Sequence, residues 1–77
     1  MKNNNLLKNI MPEVDFTIRG KNYEERKSSL AEIARNYQNA FYNCNLFYSE
    51  IAILDEYFER NGKKYGLLKE FRENGIV

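Results

Sequence analysis

The sequence predicts a mainly α protein: a short N-terminal strand, one long central helix and a short antiparallel C-terminal helix, a helical hairpin or bundle completed by self-association. Three observations carry this expectation. Residues 13–19 alternate between polar and apolar side chains. Lys21 to Asn61 runs for 41 residues without Gly or Pro. The chain has 77 residues, one Cys and no His, so neither an internal disulfide nor a plausible zinc site can staple it. A chain this short makes one domain, and it buries only about 60% of its unfolded surface. A second copy would make up that shortfall.

Residues 1–12 are expected to be a flexible terminus or a short helix. Asn5 is placed to cap a helix through Leu6, Leu7, Ile10 and Met11, which must stop before Pro12.

Residues 13–19 read as a strand. Val14, Phe16 and Ile18 share one face, and Glu13, Asp15, Thr17 and Arg19 share the other. A single strand leaves backbone donors and acceptors unpaired, so it requires a neighbour. Asn22-Tyr23 folding back, the same strand of a second copy, or an edge in another protein would serve.

The long helix is expected over residues 22–61. Asn22 with Glu25, or Ser29 with Glu32, makes a capping-box start, and Arg60-Asn61-Gly62 makes its end. With a heptad begun at Leu30, the a positions are Leu30, Tyr37, Cys44, Ile51 and Phe58, and the d positions are Ile33, Ala40, Phe47 and Leu54. None is charged, so the nine form a coiled-coil-like seam for self-association. A second stripe, Tyr42, Leu46, Ile53 and Tyr57, lies roughly 135° away on the helical wheel. It is the expected contact face for a larger protein partner, unless the C-terminal helix covers it. One straight helix from Tyr23 to Arg60 would span about 55 Å, against about 30 Å for a globule of this size. Either it breaks at Asn43-Cys44-Asn45, where helix propensity is weakest, or another chain buries its seam. The missing Gly and Pro favour the second option.

The last helix is expected over residues 64–74, with Leu67, Leu68 and Phe71 as its apolar face. Gly75 is placed for a left-handed cap and Ile76 to fold back on it. Residues 36–59 carry four acids and no base, whereas residues 60–77 carry five bases and two acids. An antiparallel C-terminal helix would pair these charges and close the hairpin at Asn61-Gly62-Lys63.

Composition narrows the function classes. The net charge is +1, which argues against a strongly basic nucleic-acid or membrane-surface binder. No run of 18 or more apolar residues occurs, so no membrane span is expected. Met1–Ile10 lacks the apolar core of a signal peptide, and one free thiol suits a reducing cytoplasm. Phe, Tyr, Met, Ile, Asn and Lys supply 37 residues, a bias toward AT-rich codons that points to a low-GC bacterium, a phage or another mobile element, or a parasite.

Acid–base chemistry usually wants His or two carboxylates in contrasting environments, and neither is apparent. Cys44 has no adjacent base and reads as a small buried hydrophobe. No catalytic residue, metal site or cofactor is expected. A strand followed by helices in a dimer resembles the ribbon-helix-helix arrangement of β-ribbon DNA readers. Its outward residues here would be Glu13, Asp15, Thr17 and Arg19, and two acids facing phosphates oppose that role. Asn36 to Ser49 holds no charge but carries Tyr37, Phe41, Tyr42, Phe47 and Tyr48, the composition of an interface core. The expected function is therefore a non-enzymatic protein–protein interaction module, a small regulator or inhibitor acting by occlusion through an aromatic helix face. The alternatives are a dimeric nucleic-acid-binding regulator and a purely structural oligomer.

Overall fold

The computed structural model describes residues 2–77, with side chains from Leu6 onward. Its elements are α1 (Lys2–Ile10), α2 (Tyr23–Phe41), α3 (Tyr48–Tyr65) and α4 (Leu68–Glu73). The molecule is mainly helical, and no strand forms among the described residues.

Helix α1 ends ahead of Pro12, as the proline demands. Leu7 and Met11 sit one turn apart and are completely buried, with the Met11 N–H donating to the Leu7 carbonyl. The helix starts before Asn5, whose capping role lies outside the described side chains.

The strand expected over 13–19 is a strap instead. Its alternation is real: Val14 and Phe16 are buried, Ile18 is half-buried, and Glu13, Asp15, Thr17 and Arg19 face solvent. What differs is the pairing of its backbone. The Thr17 N–H donates to Asp15 Oδ1, the Arg19 N–H to Ser29 Oγ, and the Phe16 carbonyl accepts from the Tyr57 hydroxyl. Side chains supply partners that a neighbouring strand would otherwise provide. Alternation reports a chain with one face buried, and a strap across helices satisfies that as well as a sheet does.

Asn22 caps α2 as expected. Its Oδ1 accepts the Glu25 N–H at 2.9 Å, and the Glu25 carboxylate turns back to the Lys21 N–H at 2.8 Å.

The continuous helix over 22–61 does not form. Helix α2 stops at Phe41, residues 42–47 form a loop, and α3 starts at Tyr48. Tyr23 lies against Tyr65 and Tyr37 against Phe58, so α3 returns antiparallel to α2 as a hairpin. The break falls around Asn43 and Asn45, residues whose short amides compete with the helical backbone. The larger cause is tertiary. Folding back lets Leu30, Ile33 and Tyr37 bury against Leu54 and Phe58 of the same chain. The radius of gyration is 11.7 Å, the size of a 77-residue globule folded on itself.

Two further boundaries move. Asn61-Gly62-Lys63 is not a hairpin closure but helical backbone inside α3. Gly62 is buried there because α4 presses on it. A Cβ at this position would meet Phe71 Cδ2 at 3.0 Å and the Leu68 Cα at 3.2 Å. Helix α3 ends instead at Gly66 in the left-handed region, with the Leu67 N–H reaching back to the Gly62 carbonyl at 2.8 Å. Helix α4 is consequently shorter than the expected 64–74. It returns antiparallel along α3 through apolar contacts, Leu68 on Gly62 and Phe71 on Phe58. No ion pair joins the two helices among the described residues. The pairs present are Arg19–Asp15 and Arg60–Glu56, each four residues apart and exposed.

Gly75 behaves as expected. It lies at φ +76°, its N–H donates to the Arg72 carbonyl, and the Ile76 N–H donates to the Phe71 carbonyl. That is a Schellman ending, and burial of both Ile76 and Phe71 completes it. Phe58 sits at the centre of the core, its ring within 6.2 Å of those of Phe16, Tyr37, Tyr57 and Phe71.

Candidate interaction surface

The expected self-association seam divides when the long helix breaks. Leu30, Ile33, Tyr37, Leu54 and Phe58 are buried in the core of the single chain, and Ala40 and Ile51 are half-buried. Cys44 and Phe47 fall in the loop. Cys44 is half-buried with its thiol 3.7 Å from Glu13 Oε2. Partial burial and the neighbouring Glu13 carboxylate push the thiol pKa up, away from thiolate chemistry. Phe47 alone of the nine is exposed. The seam's apolar pattern is therefore spent largely on the hairpin's own interior.

The expected partner stripe also disperses, because the break destroys the helical phase that put its members together. Tyr57 and Ile53 lie on α3, half-buried beside the strap. The Tyr57 hydroxyl bonds the Phe16 carbonyl, and burial, then Asp15, raises its pKa. Leu46 is a half-buried loop residue. Tyr42 is the member that stays open, 85% exposed at the C-terminus of α2.

Two residues outside that stripe join Tyr42. Phe47 is 75% exposed and Tyr48 is 88% exposed, at the N-terminus of α3. Local hydrogen bonds hold this tip in shape. The Asn43 and Cys44 N–H groups donate to the carbonyls of Ala40 and Phe41, and Glu50 Oε1 accepts the Phe47 N–H at 2.9 Å. Three large rings thus stand in solvent at one end of the molecule. The sequence signal that marks them is the charge-free run from Asn36 to Ser49, not the helical wheel.

Beside Tyr42 a groove of about 450 Å³ opens between the end of α2, the start of α3 and the C-terminal residues. Phe41 and Ile51 line it, and Gln38 Nε2 ties its far wall by donating to the Asn74 carbonyl at 2.7 Å. Tyr37 and Asp55 lie at its base. Burial and Asp55 push the Tyr37 pKa up to about 12, and burial and Glu59 raise that of Asp55. Tyr37 is thus a neutral phenol at ordinary pH. The surface offers aromatic area and few fixed charges.

No known protein family, curated protein or solved structure matches the chain. Among the described residues, no three His, Cys, Asp or Glu side chains gather as a metal site. No described helix is long and apolar enough to cross a membrane.

Proposed function

We propose that this protein is a non-enzymatic protein–protein interaction module, a small regulator or inhibitor that occludes a surface of a larger protein. The aromatic tip of Tyr42, Phe47 and Tyr48 replaces the continuous helix face as the contact. The observation that carries the reading is the exposure of all three rings inside a fourteen-residue stretch without charge. Exposed Tyr and Phe in a charge-depleted patch are the composition of interface centres, where such residues dominate binding energy. A monomer's fold gains little from rings left in water.

The test is a triple variant, Tyr42→Ser with Phe47→Ser and Tyr48→Ser. Tagged wild-type and variant proteins are recovered from the native host, and co-purifying proteins are identified by mass spectrometry. The wild type should retain a partner in fixed stoichiometry, and the variant should lose it while its melting temperature stays within about 3 °C, since exposed substitutions cost little. Retention of the same partner by the variant sinks the reading. If the only partner lost is a second copy, seen as a halved mass in light scattering, the purely structural oligomer takes its place.

A further inference from the structure

A second concavity lies away from the aromatic tip. It is an open bowl of about 530 Å³ lined by α1, the strap, the C-terminal half of α3 and Arg26 of α2. Its lining mixes polar groups with the apolar side chains of Phe16, Ile18 and Ile53 and the Tyr57 ring. Its rim is cationic. Arg26, Arg60 and Lys64 stand against the single acid Glu56. The lining thus holds a net charge of +2, more than the +1 of the entire chain.

The cations are held in place without being used up. Arg26 is tied through Nε, which donates to the Gly20 carbonyl at 3.2 Å and leaves its terminal nitrogens for another acceptor. Arg60 gives one terminal nitrogen to Glu56 at 2.8 Å. The Lys64 ammonium lies 5.6 Å from the centre of the Tyr65 ring, a cation–π contact between two residues of the lining. Holding the groups beforehand lowers the ordering cost of binding. A concavity of this volume that joins apolar side chains to converging charged groups has room for a small ligand.

We propose that this bowl binds a small amphiphilic carboxylate, with its apolar body on Phe16, Ile18, Ile53 and Tyr57 and its head group at Arg26 and Lys64. A guanidinium takes a carboxylate through two parallel hydrogen bonds, and the ammonium adds a point charge. None of these residues belongs to the aromatic tip, so the site stands or falls independently of the interaction reading.

The probe is decanoate, with decanol as its neutral counterpart, titrated into ¹⁵N-labelled full-length protein and followed by amide correlation spectra. Decanoate should give saturable one-site shifts centred on Phe16, Ile18, Ile53 and Lys64. It should bind about tenfold more tightly than decanol, the factor that about 1.4 kcal/mol of head-group recognition provides. Lys64→Glu and Arg26→Gln should each weaken decanoate about fivefold or more and leave decanol unchanged, with unaltered thermal unfolding as the check on folding. Equal affinity for decanoate and decanol overturns the proposal. So do shifts centred on Tyr42–Tyr48, absence of saturation, or charge variants that bind decanoate as the wild type does.

Discussion

The Tyr57 hydroxyl donates to the Phe16 carbonyl at 2.5 Å, and the two rings meet nearly at right angles with centroids 5.4 Å apart. One side chain of α3 therefore both pairs the strap's backbone and packs its principal buried residue. The strap needs such a partner because no strand runs beside it among the described residues.

Tyr57→Phe keeps the ring and removes the bond, leaving the Phe16 carbonyl without its partner. It should destabilise the protein by about 1 kcal/mol or somewhat more, which lowers the melting temperature by about 4–8 °C in a domain of this size. Thermal unfolding followed by circular dichroism reads the change. An unchanged melting temperature would mean that burial of Val14 and Phe16 holds the strap unaided.

Gly62→Ala separates packing from propensity. In an open helix interior, Ala is favoured over Gly by about 1 kcal/mol. Here the added methyl meets the Phe71 ring and the Leu68 backbone. Overpacking of this kind costs about 1–3 kcal/mol, so the variant should be less stable. A gain in stability would show that α4 does not press on Gly62.

Phe58→Ala should cost about 3–5 kcal/mol, because it empties the middle of the aromatic cluster. Total stability for 77 residues is on the order of 4–12 kcal/mol, so at the lower end of that range part of the population unfolds at room temperature. The milder Leu54→Val reports on the same seam without that risk. Since the seam is closed within one chain, its melting temperature should not move with protein concentration. A concentration-dependent transition would place the seam between chains instead.

Asp15 gives a pH signature. The Thr17 N–H and then the Arg19 side chain hold its carboxyl at about 2, below its ordinary 3.8. Between those values the unfolded chain binds more protons than the folded one, so stability rises with pH. The contribution is fully present above about pH 4 and is lost as pH falls through 2. Asp55 shifts the other way, through burial and then Glu59, and its effect opposes that of Asp15. Comparing melting temperatures of the wild type and Asp15→Asn from pH 2 to pH 5 isolates the first carboxyl. The difference between the two proteins should shrink toward the acid end. The carboxylate is largely exposed, so the effect should be modest and weaken in salt.

Three local signals in the chain matched the structure, while Asn61-Gly62, read as a helix end, lies inside α3. Pro12 had to end α1, Asn22 with Glu25 had to begin α2, and Gly75 with Ile76 had to close α4, because each cap is settled by residues within one turn of it. The inward set Val14, Phe16 and Ile18, and the apolar identity of Leu30, Ile33, Tyr37, Leu54 and Phe58, were likewise legible from spacing. The candidate surface was legible only in part. Tyr42 was singled out, but Phe47 was assigned to the seam, and the stripe joining Tyr42 to Tyr57 assumed a helix phase that does not survive residues 42–47.

By itself, then, the sequence determined the inward face of residues 14–18, the apolar identity of the core positions, and the boundaries at Pro12, Asn22 and Gly75. Only the tertiary structure decided that α2 and α3 are separate helices, that Gly62 serves close packing rather than a turn, and that the strap is paired by Tyr57, Ser29 and Asp15 instead of a strand. The reason is the range of the forces. Capping and periodicity act over a few residues, whereas folding back is rewarded by contacts such as Tyr37 on Phe58 and Phe16 on Tyr57, between residues 21 and 41 positions apart. No local pattern encodes that reward, and it outweighs the helix propensity lost at the bend.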